Sequence, residues 1–326
     1  MIHNIYNIGL LFLLTSVNLN AQTIEKFSID SGGRSTTTGN IQITYTLGEV
    51  NVQEINTPSV SISEGFINAA FRILINPTVF LQGPSLIPTT NGLMNDALRE
   101  NGSIPTTSPY EDNASCNASI FNVTGNNAIV DWVWLELRSE NNNQRLINGR
   151  SALVQRDGDI VDVDGVSSVI MQAAPTNYFV VVKHRNHLGV MSSAAINLSD
   201  LSTTTVDFTD NSFSTFGNNA QVILNSGDTA LWSGDTNGDD SIIFSGGNND
   251  VNPIKDFILA DPNNILSFIT YASVGYLFQD IDLDGLAKFS GALNDSNVIK
   301  DNILNHPGNF LNLPTFTINT TVPPKQ

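Results

Sequence analysis

The feature that most constrains this chain is a long internal repeat. Residues 235–259 read DTNGDDSIIFSGGNNDVNPIKDFIL, and residues 280–304 read DIDLDGLAKFSGALNDSNVIKDNIL, at a constant offset of 45. Asp235, Asp239, Phe244, Ser245, Gly246, Asn249, Asp250, Ile254, Lys255, Asp256, Ile258 and Leu259 each recur unchanged 45 positions later. The following Pro262 and Pro307 align as well. Agreement at one fixed spacing is the mark of a duplicated supersecondary unit, so both copies are expected to take the same backbone path.

The shared residues have a definite chemistry. Calcium wants about six to eight oxygens at roughly 2.3–2.6 Å, and Asp or Asn at alternate positions of a tight loop turns its side-chain oxygens onto one centre. Asp235, Asn237 and Asp239 do this in the first copy, and Asp280, Asp282 and Asp284 in the second. The backbone carbonyls of Ser241 and Leu286 are expected to add a further ligand each, and Asp250 and Asp295 to close the loops. Closure is late: an EF-hand closes at position 12, whereas these aspartates sit at position 16, so four extra residues must bulge out around Gly246 and Gly291. Each closing aspartate also starts an amphipathic stretch. Val251, Ile254, Ile258 and Leu259 in one copy, and Val298, Ile299, Ile303 and Leu304 in the other, recur at helical spacing. Pro253 falls in the first turn, where a missing N–H does no harm. Two apolar stripes packed across a pseudo-twofold axis would couple two Ca2+ ions to folding. The first loop is expected to bind more weakly, with Asn237 in place of Asp282 and Asp240 where the second has Gly285. A polar linker without metal is the bland alternative, and duplication argues against it.

Ahead of the repeats the chain reads as strands, so the fold class is mainly β. Residues 22–75 suggest a small antiparallel β module, and residues 76–225 an immunoglobulin-like β-sandwich with one short helix candidate, Leu93–Glu100. Residues 226–315 make the small C-terminal α module of two calcium loop–helix units, and residues 316–326 a tail. Trp132 and Trp134, two apart and hence on one face of a strand, would stack on a glycan if exposed and fill the core if not; core is the favoured reading. His184 and His187, at i and i+3 of one strand, would point to opposite faces.

Residues 1–21 have the form of a secretory signal peptide, with the apolar run Ile8–Leu14 and cleavage after Ala21. This places the mature chain outside the cell or on its surface after Sec export. No segment approaches the roughly 20 apolar residues of a spanning helix, so no transmembrane segment is expected. Thirty-one acidic against 14 basic residues, for a net charge of −17, argue against nucleic acid and anionic membranes as partners. Cys116 is the only cysteine, so no intramolecular disulfide can form. No G-x-S-x-G elbow, H-E-x-x-H helix or Walker loop is present, and histidines beyond residue 21 are limited to His184, His187 and His306. A non-catalytic protein is therefore expected, with a polysaccharide-degrading hydrolase built on paired carboxylates as a distant alternative.

The loop Asp235–Asp239 leading to Asp-Val-Asn-Pro-Ile-Lys, and its counterpart leading to Asp-Ser-Asn-Val-Ile-Lys, resemble type I dockerin repeats. Both the four-residue insertion and the 45-residue spacing are longer than in the usual dockerin. More broadly, Met94–Arg99 with Ile104–Thr106, Val130–Arg138, Gln155–Asp159 and Val182–Leu188 resemble haemagglutinin-like secreted or surface proteins of Bacteroidetes. The resemblance implies adhesion through an extracellular glycan or protein ligand. Its other implication is a docking subunit engaging a cohesin-like domain.

Overall fold

The computed structural model describes residues 71–326, together with the backbone of four strands before them, Gly32–Thr38, Ile41–Leu47, Glu54–Thr57 and Val60–Ser63. These four form two antiparallel hairpins. The expected signal peptide lies outside the described residues. The protein is mainly β, with 32 % strand against 13 % helix. Residues 71–326 form one compact unit, and its first strand, Ile73–Thr78, spans the boundary expected near residue 75.

A long hairpin organises that unit. Ile129–Ser139 pairs antiparallel with Asn142–Gln155 across a two-residue turn, and on its other side with Thr176–His184. His187–Met191, Ile160–Val161 and Ile196–Leu198 complete this six-stranded sheet. A three-stranded sheet places Ile73–Thr78 between antiparallel Val169–Met171 and parallel Thr204–Asp207. Leu135, Leu137, Val180 and Val182 of the large sheet share one core with Ile73, Ile75, Val169 and Val206 of the small one. Period-2 alternation puts these residues on inward faces, and burying each is worth about 1.5–3 kcal/mol.

The other face of Ile129–Ser139 is buried too, and here the stacking-platform reading of Trp132 and Trp134 fails. They are 0 % and 5 % exposed, and their indole N–H groups donate to the Pro105 carbonyl at 2.8 Å and to Glu136 at 3.0 Å. Beyond them Glu136 and Arg138 form a buried ion pair at 2.7 Å. What covers this face is the C-terminal segment: Val322 packs on Val181 and Met191, and Arg138 donates to the Pro323 carbonyl at 2.6 Å. The last residues thus do not trail away as a tail.

His184 and His187 also depart from expectation. They do not share a strand but flank the two-residue turn Arg185–Asn186, as directly opposed partners of a hairpin. Opposed cross-strand residues lie on the same face, so the two imidazoles meet with Nδ1 atoms 2.9 Å apart.

The repeats form helices Val251–Ala260 and Asp295–Asn305, and Ile254, Ile258, Ile299 and Ile303 share a second core with Ile242, Ile318 and Trp232. Their partnership is reciprocal. Strand Ser241–Ile243 of the first copy pairs with Thr317–Asn319, whereas Leu286–Lys288 of the second pairs with Ala272–Val274. Every register pair is displaced by 45, so the structural unit outruns the sequence identity and includes residues 316–321. Asn264 and Asn309 reproduce each other in the connecting turns: each side-chain amide donates to the carbonyl six residues back, at 2.8 and 2.7 Å. The repeats are held to the preceding part of the unit by the buried Asn302, which accepts from Gln82 at 2.7 Å and donates to the Ser233 carbonyl at 2.7 Å. No helix among the described residues is long and apolar enough to cross a membrane.

Candidate metal centre

Both loops are built on the carboxylate at position 1. Asp235 accepts the N–H of Gly238 at 2.7 Å, of Asp239 at 3.2 Å and of Asp240 at 3.0 Å. Asp280 accepts those of Asp284 at 3.1 Å and Gly285 at 2.9 Å. Next, Asp239 accepts the Ser241 N–H at 3.0 Å, and Asp284 that of Leu286 at 2.8 Å, which directs the chain into the following strand. The turn needs a left-handed residue at position 6. Gly285 supplies it at φ 87°, and in the first copy Asp240 takes it at φ 63°, with the strain a side chain brings.

The expected closing ligands have a different place. Asp250 accepts the N–H of Thr236 at 2.9 Å and of Ile243 at 2.8 Å, one on each carboxylate oxygen. Asp295 does the same with Ile281 and Lys288, both at 2.7 Å. Each clamps the start of its loop to the strand that follows. The late closure is thereby explained: Asn249 and Asn294 reach back to the carbonyls of Gly246 and Gly291 at 2.7 and 2.6 Å, folding the four-residue insertion into a turn.

The structure brings Asp280, Asp282 and Asp284 together, with one carboxylate oxygen from each within 4.8 Å of the others; Asp295 is not part of that cluster. The first loop has the same turn but only two carboxylates at the alternate positions, because Asn237 stands for Asp282. Burial is the main cause that raises the affinity of these groups for protons, and neighbouring aspartates add to it. Asp235 is pushed up to about 6 and Asp250 to about 7. Asp280, Asp282 and Asp295 are likewise raised, by burial first and with mutual repulsion adding to it, while Arg185 opposes the rise at Asp280. Crowded carboxylates of this kind are stabilised by a cation. Lys288 provides part of the compensation, donating to Asp284 at 2.6 Å. The donor set is entirely oxygen, without His or Cys, and fits a hard divalent ion of the calcium type. Ser241 and Leu286 stand at the first position of the strands that follow each loop.

Sequence reasoning missed the groups that anchor the second loop. Asn186 donates to the carbonyls of Phe278 at 3.0 Å and Asp280 at 2.7 Å, and Arg185 to that of Leu277. Arg185 also donates to the buried Asp131 at 3.1 Å and lies over the Tyr276 ring. Their signal was the quartet His184–His187, which reads as a hairpin only once the turn is recognised. No protein-family model, curated protein or solved structure matches this chain.

Proposed function

We propose that this is an exported, non-catalytic binding protein whose dockerin-like C-terminal repeats hold two Ca2+ ions and whose immunoglobulin-like sandwich carries them. The observation that carries this reading is the cluster of Asp280, Asp282 and Asp284 on a loop whose hydrogen-bond scaffold recurs 45 residues earlier. Asp280, Asp282 and Asp284 would hold one ion, and Asp235, Asn237 and Asp239 the other. Bound calcium would supply the positive charge that these carboxylates lack, fixing each loop against its strand and helix. Two sheets sharing one core support the sandwich, and the reciprocal strands support a rigid module joined to it. Adhesion through an extracellular glycan or protein partner is the role we assign to the chain, on the resemblance of Val130–Arg138 and Val182–Leu188 to haemagglutinin-like surface proteins.

Calorimetric titration of the full chain with calcium tests the reading. Two sites are expected, the second loop tighter, with a gain in thermal stability that EDTA reverses. A chain that takes up no calcium and melts identically in EDTA would sink it.

A docking subunit is the second reading, favoured by exposed apolar residues that recur between the copies: Ile265 and Leu266 in one, Phe310 and Leu311 in the other. A stable complex with a cohesin-like domain in gel filtration would favour it.

A further inference from the structure

The open side of the second loop faces a cleft. Asp282 and Asp284 form part of its wall, opposite the segment 83–100, and the cleft encloses about 640 Å³. That is within the range of small-ligand sites, roughly 300–1,000 Å³.

Its lining mixes two kinds of surface. Ile87 and Leu293, each 64 % exposed, offer apolar patches, while Asn297, Glu100 and Asp301 offer polar atoms. Leu293 departs from its counterpart in an informative way. Its backbone is left-handed, φ 51°, and the equivalent Asn248 has φ 54°. Asparagine takes that conformation at lower cost than leucine, and an exposed leucine gains little from burial. The second copy carries the conformationally harder residue here as it does at Leu283, which stands for Gly238 of the first copy, but Leu283 is buried in the main core whereas Leu293 is exposed beside the cleft. Five carboxylates line the cleft against one guanidinium, that of Arg156, which already faces Asp96 at 3.4 Å. With a cation at Asp282 and Asp284 and Asp96 paired to Arg156, Glu100 and Asp301 remain to disfavour anionic ligands. A neutral, hydroxyl-rich molecule meets the remaining terms: its hydroxyls donate to Glu100 and Asp301, its C–H faces rest on Ile87 and Leu293, and a hydroxyl can complete the oxygen shell of a cation at Asp282 and Asp284, since three carboxylates leave room among about six to eight ligands.

We propose that this cleft binds a neutral oligosaccharide in contact with the cation of the second loop. The proposal rests on the calcium reading above and adds to it the ligand class and the place where the ligand binds.

The test uses the full chain on an array of neutral, sialylated and sulfated oligosaccharides, with calcium and with EDTA, beside calorimetric counting of calcium. The expected result is calcium-dependent capture of neutral members. Leu293→Asn, which installs the residue of the first copy, and Asn297→Ala should each weaken it at least tenfold while two calcium ions still bind. The proposal is overturned, with the calcium reading intact, if two ions bind but no neutral oligosaccharide does, if capture persists in EDTA, if charged members are preferred, or if both variants bind as the parent does. Absence of calcium uptake overturns both together.

Discussion

Ser290 donates its hydroxyl to the Ile269 carbonyl at 3.0 Å, joining the loop of the second copy to the connecting turn of the first. The symmetric contact exists as well: Ser245 donates to the Pro314 carbonyl at 2.8 Å. Each loop is therefore latched, and paired through its strand, by residues of the other copy. Neither copy completes its own loop, so the two are expected to gain or lose order together.

Calcium removal should reveal that coupling. An ion that binds only the folded chain stabilises it by about 2.7 kcal/mol at a hundred times its dissociation constant. Scanning calorimetry of the full chain with calcium and with EDTA should show the apo form melting lower. An unchanged melting temperature at saturating calcium would contradict the two-site reading.

The metal-free chain should have an unusual pH dependence. Asp235 and Asp250 are raised to about 6 and about 7 by burial, above their unfolded range. Between about pH 4 and pH 7 the folded state then holds more protons than the unfolded state, so stability falls as pH rises. The contribution is fully present below the unfolded pKa and is lost as pH passes the folded values. In EDTA the melting temperature should thus decline over this window from these groups, and saturating calcium should flatten the decline. A rise in EDTA over the same window would contradict the assigned burial of the two groups.

Asp295 and Asp284 should separate in their effects. Both oxygens of Asp295 accept backbone N–H groups, so Asp295→Asn turns an amide donor toward one of those donors. Leaving a buried N–H unpaired costs about 1–3 kcal/mol, and this loss should appear in urea unfolding even with EDTA present. Asp284→Asn should instead lower stability mainly in calcium. Equal losses with and without calcium for both variants would mean that Asp284 too acts only through its hydrogen bonds.

What was legible in the sequence follows from where identity was retained. The loops, helices and left-handed glycines Gly246 and Gly291 could be read because carboxylate-anchored loops and tight turning restrict residue type, and these positions repeat. The reciprocal strands could not. Ala272, Ser273 and Val274 correspond to Thr317, Ile318 and Asn319 without one identical residue, because a short paired strand asks only for backbone hydrogen bonds. Asn264 and Asn309, identical in the two copies and placed six residues after Ile258 and Ile303, mark that the unit continues. The His184–His187 contact was hidden for another reason: helix and strand periodicities say nothing about residues on opposite arms of a two-residue turn.

The tryptophans offer a test of a purely structural role. Trp132 is fully buried in the main core, so Trp132→Ala should cost about 3–5 kcal/mol in folding stability. Calcium stoichiometry measured below the lowered melting temperature should remain at the parent value. A stable variant that had merely lost a ligand would restore the stacking reading.

Strand exchange makes the most specific prediction. Ile318 is buried in the second core and lies opposite Ile242, in the strand that follows the first loop. By position in the chain Ile318 belongs to the second copy, yet its backbone partner belongs to the first. Thr320, two residues on, donates to the carbonyl of Asp240 within the first loop at 2.9 Å, whereas the corresponding contact to Gly285 in the second loop comes from Gly275 at 3.1 Å. Ile318→Ala removes apolar volume from the shared second core directly behind the strand that follows the first loop, so it should weaken the proposed first calcium site more than the second. Two-site calorimetry resolves the difference. If the tighter site weakens instead, the pairing of Thr317–Asn319 with Ser241–Ile243 is wrong, and each copy closes on itself.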